Sequence, residues 1–101
     1  MSGTEHWTPS VVNLPARARG SKDTLVFTLL GDGEVAKDSK GKYSVYAGCW
    51  CHSWNYNPEM RELTITLTKK KANTKVIVVV VKEPDNKLRN DKLTVNYDES
   101  E

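Results

Sequence analysis

The segment Glu62 to Thr68 constrains this chain more than any other. Leu63, Ile65 and Leu67 alternate with Thr64, Thr66 and Thr68. A period of two places successive side chains on opposite sides of an extended backbone, so one face is buried and the other wet. The same period recurs in Thr24 to Leu30, with Leu25, Phe27 and Leu29 on one side. It recurs again in Lys92 to Tyr97, with Leu93, Val95 and Tyr97 inward. Val76 to Val81 is apolar on both faces, which predicts a strand central in a sheet or covered by a partner.

Turn residues punctuate these runs. Gly31-Asp32-Gly33, Ser39-Lys40-Gly41 and Pro84-Asp85-Asn86 each end a pattern. Tyr43 to Trp50 reads as another strand, with Tyr43, Val45, Ala47 and Cys49 on one side and Tyr46 and Trp50 on the other. Val11 to Leu14 reads as a short edge strand before Pro15. No ten-residue stretch carries a capped 3.6-residue period. The expected fold is all-β: a single antiparallel β-sandwich of six or seven short strands, immunoglobulin-like in outline, with a small barrel as second choice. Residues 1–10 are expected to form an N-terminal tail or arm, residues 11–97 the sandwich, and residues 98–101 an acidic tail.

With 101 residues, one core is all the chain can sustain. No apolar run approaches the roughly 20 residues of a membrane-spanning helix. The N-terminal residues lack the basic start and apolar stretch of a secretory signal. Cys49 and Cys51 lie at i and i+2, roughly 6.5–7 Å apart in a strand, at the limit for a disulfide. No Asn-X-Ser/Thr sequon occurs. The expectation is a cytoplasmic chain, or one exported without a standard signal peptide.

Fifteen basic residues are offset by thirteen acidic ones, for a net charge of +2. That balance disfavours nucleic acid as a partner. Two basic clusters stand out, Arg17/Arg19/Lys22 and Lys69-Lys70-Lys71 with Lys75, the second read as a solvated turn.

The densest chemistry lies in Gly48 to Pro58. On a regular strand Trp50, His52, Trp54 and Tyr56 share one face, and Cys49, Cys51, Ser53 and Asn55 the other. Four rings edged by amides make a platform on which sugars stack. The candidate ligand-binding residues are therefore Trp54, Tyr56, His52, Asn55 and Trp50, with Trp50 equally suited to the core. No cofactor is expected. A zinc site from His6, Cys49, Cys51 and His52 is poorly spaced, because three ligands fall within four positions. Catalysis has little support, since His52 points away from both of its neighbours, Cys51 and Ser53, on a regular strand.

The expected function is a non-enzymatic, lectin-like binding module. An immunoglobulin-like structural or protein-interaction module, such as a viral or cell-surface accessory, is the alternative. Single-stranded nucleic-acid binding is third. The Val76 to Val81 run demands cover on its second face, from the segment Trp7 to Leu14 or from a second copy, so a homodimer or larger homo-oligomer is expected.

Overall fold

The computed structural model describes residues 6–99. The chain is all-β, and its strands form two sheets. In chain order these are β1 (Trp7–Thr8), β2 (Val11–Leu14), β3 (Lys22–Leu29), β4 (Glu34–Val35), β5 (Val45–Tyr46), β6 (Cys51–Asn57), β7 (Glu62–Thr68), β8 (Thr74–Lys82) and β9 (Leu88–Tyr97). A 3-10 turn at Gly48–Trp50 precedes β6.

The first sheet has the order β1-β3-β7-β6 and is antiparallel throughout. The second has the order β2-β9-β8-β4, with β5 also pairing β8. It is mixed rather than antiparallel, because β2 runs parallel to β9. The reason lies in how the N-terminal segment crosses over. β1 pairs with β3, the chain passes Pro9, and β2 continues beside β9, with Thr94 N–H donating to Ser10 O and Asp98 N–H to Leu14 O. One edge segment thus serves both sheets. β4 and β5 instead share one edge of the second sheet: both lie along β8, and the excursion between them closes on Lys37 and Tyr43.

Alternation decides the core. Phe27 and Leu29 of β3, Leu63, Ile65 and Leu67 of β7, Ile77, Val79 and Val81 of β8, and Leu93, Val95 and Tyr97 of β9 are all buried in one cluster. Both sheets contribute to it. Burying ten or more such side chains, each worth about 1.5–3 kcal/mol, is the main force holding the sheets together. β8 is central as its sequence requires, flanked by β9 and by β4/β5. The outward threonines of β7 form an ordinary polar face, with Thr66 Oγ1 3.1 Å from Thr24 Oγ1.

Among the described residues, two side-chain hydrogen bonds bridge the sheets. Trp7 Nε1 donates to Asp91 Oδ2 at 2.9 Å. The Tyr97 hydroxyl donates to Asp23 Oδ2 at 3.2 Å, and Asp23 also pairs with Arg17. Burial, reinforced by the Asp23 carboxylate, pushes the Tyr97 hydroxyl up to about 12.

Two sequence expectations are corrected here. Residues 7 and 8 are not tail: Trp7 is 2% exposed and belongs to the core. An indole this size is worth burying even from a two-residue strand. Residues 1–5 and 100–101 lie outside the described residues. The Lys69 to Lys75 turn is not wholly solvated either. Lys69 is buried, with Nζ 5.4 Å from the centre of the Tyr97 ring and 3.5 Å from Arg17 O.

Candidate functional site

β6 forms an edge of the first sheet, and the chain reaches it from β5 of the second. The predicted strand Tyr43 to Trp50 stops early because Gly48 takes φ +72°, a left-handed conformation that ends extension. Cys49 and Trp50 then lie in the 3-10 turn, Cys49 exposed and Trp50 half-buried with Lys75 Nζ 5.8 Å from its ring centre.

The alternation expected along β6 is broken once. Cys51 pairs with Leu67 and Ser53 with Thr66, so His52 is an extra residue in a β-bulge. Beyond it, Trp54 faces Ile65 and Tyr56 faces Leu63 on the core side, while Ser53 and Asn55 face outward beside Thr66 and Thr64. The four-ring platform expected from the sequence therefore does not form. Trp50 sits in the turn, His52 is exposed in the bulge, and Trp54 is half-buried against the core. Tyr56 is 6% exposed and packs edge-on against Tyr43, ring centres 5.1 Å apart.

Two grooves open where β6 approaches the β4–β5 edge. The first, about 890 Å³, is lined by Cys51, His52, Ser53, Trp54 and Asn55 of β6 and by Lys42, Val45, Tyr46 and Ala47 from in and around β5. It gathers three of the five predicted site residues, His52, Trp54 and Asn55, and leaves out Trp50. Tyr46 is 60% exposed. Its place was readable in the sequence, since it lies opposite Val45 and Ala47, which are buried.

The second groove, about 880 Å³, is where Tyr56 emerges, beside Tyr43, Lys37, Arg61, Glu34 and Lys82 among others. Burial raises the Tyr56 hydroxyl above the ordinary phenol range, and the neighbouring Arg61 charge partly opposes this. Lys37 Nζ lies 5.0 Å from the Tyr43 ring centre. Arg61 carries no pattern signal in the sequence. It stands in the turn between β6 and β7 at φ 59°, and donates Nε to Leu29 O and Nη2 to Gly31 O and Gly33 O.

The thiols are free. Cys51 Sγ donates to Ser53 O at 3.2 Å, and burial pushes this thiol up. Among the described residues no three His, Cys, Asp or Glu side chains converge as a metal site would need. His6 sits beside β1, its carbonyl accepting from Leu30 N–H, on the edge of the first sheet opposite β6. No described helix is long and apolar enough to cross a membrane. Compared with known proteins, the sequence matches no family model, and no curated protein is significantly similar to it.

Proposed function

We propose that this chain is an immunoglobulin-like β-sandwich that binds carbohydrate in the groove between β5 and β6. Support for the fold reading comes from strand order. With β1, β3, β7 and β6 taken as strands A, B, E and D, and β9, β8 and β4/β5 as G, F and C, the sheets follow the order of immunoglobulin domains. The single cluster shared by both sheets fits two layers packed face to face.

One observation carries the functional reading: Trp54 and the exposed Tyr46 line one groove together with His52, Ser53 and Asn55. Flat rings offer apolar faces to the C–H side of a pyranose, and the rim supplies directional donors and acceptors for its hydroxyls. An open groove of this kind suits single-site affinity that is weak and gains from repetition.

A glycan array with wild type, Trp54→Ala and Tyr46→Ala tests this. Discrete hits are expected, lost in both variants. Tyr46 is exposed, so its replacement leaves the core intact. An empty array, or hits unchanged by both substitutions, refutes the reading. A second reading, a protein-interaction or self-associating module, is favoured by the outer face of the second sheet. There Val11 and Val76 flank Thr94, and Tyr46 stands beside Val78, with Val11 and Val76 exposed. Light scattering separates the two: concentration-dependent dimers abolished by Val76→Lys support self-association.

A further inference from the structure

The groove at Tyr56 has the wrong chemistry for a neutral pocket. Arg61 is fixed by three backbone carbonyls through Nε and Nη2, and its Nη1 makes no hydrogen bond among the described residues. The ion pairs among those residues belong to Arg17 and Arg89, so Arg61, Lys37 and Lys82 have no described carboxylate within 4 Å. Glu34 stands opposite Lys82 across β4 and β8 and is the one carboxylate among the groove's described lining residues. Among the described residues the groove's lining thus carries three cations, Lys37, Arg61 and Lys82, against the single carboxylate of Glu34.

The Tyr56 hydroxyl adds a third group. Tyr56 is almost wholly buried, yet its hydroxyl has no hydrogen-bond partner among the described residues, and no buried side-chain oxygen or nitrogen there is left unpaired. The hydroxyl therefore reaches the groove that Tyr56 lines. Arg61 lies close enough for its charge to act on it, and Glu34 acts on it in the opposite sense. Guanidinium, ammonium and phenol all donate, and a planar guanidinium held in place loses little entropy on meeting an anion. What such a cradle lacks is an acceptor.

Tyr56 and Trp54 are two residues apart on β6, about 6.6 Å along an extended strand. The two grooves are thus neighbours along one strand.

We propose that the Tyr56 groove is an anion subsite, in which Arg61, Lys37 and the Tyr56 hydroxyl receive the charged group of an acidic oligosaccharide whose neighbouring ring stacks at Trp54 and Tyr46. This rests on the carbohydrate reading above and names its ligand class. Glu34 on the rim accepts a hydroxyl of the same sugar and stands against a second negative charge. A carboxylate and a sulfate both meet the chemistry, and they are separated by experiment.

The test is calorimetry at about 0.15 M salt with a uronic-acid oligosaccharide, its carboxyl-reduced neutral counterpart and a sulfated counterpart. The acidic form should bind about tenfold or more tightly than the reduced one, as charge-assisted bonds require. Lys37→Ala and Tyr56→Phe should each weaken the acidic ligand several-fold and leave the reduced one unchanged. Lys37 is exposed and Phe keeps the Tyr56 ring, so both variants should fold; circular dichroism checks this. Preference for the sulfated over the uronic form supports the subsite and identifies its anion as sulfate. Equal affinity for charged and reduced forms overturns the subsite while leaving carbohydrate binding standing. Equal weakening of both ligands by Lys37→Ala overturns it too. Failure of all three sugars to bind overturns the carbohydrate reading and the subsite with it.

Discussion

Replacing Trp7 with alanine should remove a large part of this protein's stability. Trp7 lies on a strand of only two residues, yet it is buried against the core and its indole N–H reaches Asp91 on the other sheet. Truncating a buried Trp costs about 3–5 kcal/mol, and a domain of this length is stable by only about 5–15 kcal/mol. At roughly 4–8 °C per kcal/mol, the melting temperature should fall by some 12–40 °C. Trp7→Phe keeps most of the ring and loses the hydrogen bond. Asp91 retains Arg89, which donates from Nε at 2.8 Å and Nη2 at 3.2 Å, so no carboxylate is stranded. That variant should lose only about 1–2 kcal/mol. Urea unfolding followed by far-ultraviolet circular dichroism measures both, with an unchanged slope confirming that the same surface unfolds. A Trp7→Ala protein within about 1 kcal/mol of wild type would refute the reasoning and return the segment to the status of a tail.

Two further outcomes are expected. The Tyr97 hydroxyl titrates at about 12 in the folded chain against about 10 when unfolded. The native state holds the proton longer, so this contribution is complete below pH 10 and lost as pH climbs through 12. Wild type should therefore lose more stability than Tyr97→Phe across that window, and parallel pH curves for the two count against the assignment. Deleting His52 should leave the chain folded and within about 1 kcal/mol of wild type, because Cys51 and Ser53 then pair with Leu67 and Thr66 without interruption. A shift of tryptophan emission to the red would show instead that the bulge is needed to keep Trp54 inside.

What could be read from the sequence was whatever depends on local alternation. Leu63, Ile65 and Leu67 point inward because nothing interrupts their strand, and the same holds for Leu93, Val95 and Tyr97. Val76 to Val81 read as central because both of its faces are apolar, and β8 is central. The candidate site fared differently. One inserted residue, His52, leaves Trp54 and Tyr56 in step with each other but removes His52 from their face, and periodicity has no mark for such an insertion. Gly48 could be seen, but not that it would adopt φ +72° and release Trp50 from the strand. Pairings between distant segments were the least legible. Nothing near Val11 announces that it will lie parallel to Thr94, and Trp7, bracketed by His6, Thr8 and Pro9, has no apolar neighbours to betray its burial. Arg61 was missed because its role is to collect carbonyls from Leu29, Gly31 and Gly33, far away in sequence.

The two bonds between the sheets join early residues to late ones: Trp7 to Asp91, and Asp23 to Tyr97. β2 likewise waits for β9. A chain emerging from the ribosome can form the β6–β7 hairpin by itself. It cannot close its core until β9 has left the tunnel. During that interval the Val76 to Val81 run is already made, with β4 and β5 to lie beside on one edge and its β9 edge bare. Slow synthesis of β9 should thus be the moment of greatest danger for this protein, and a binder that shelters the open edge of β8 the most useful helper for its folding.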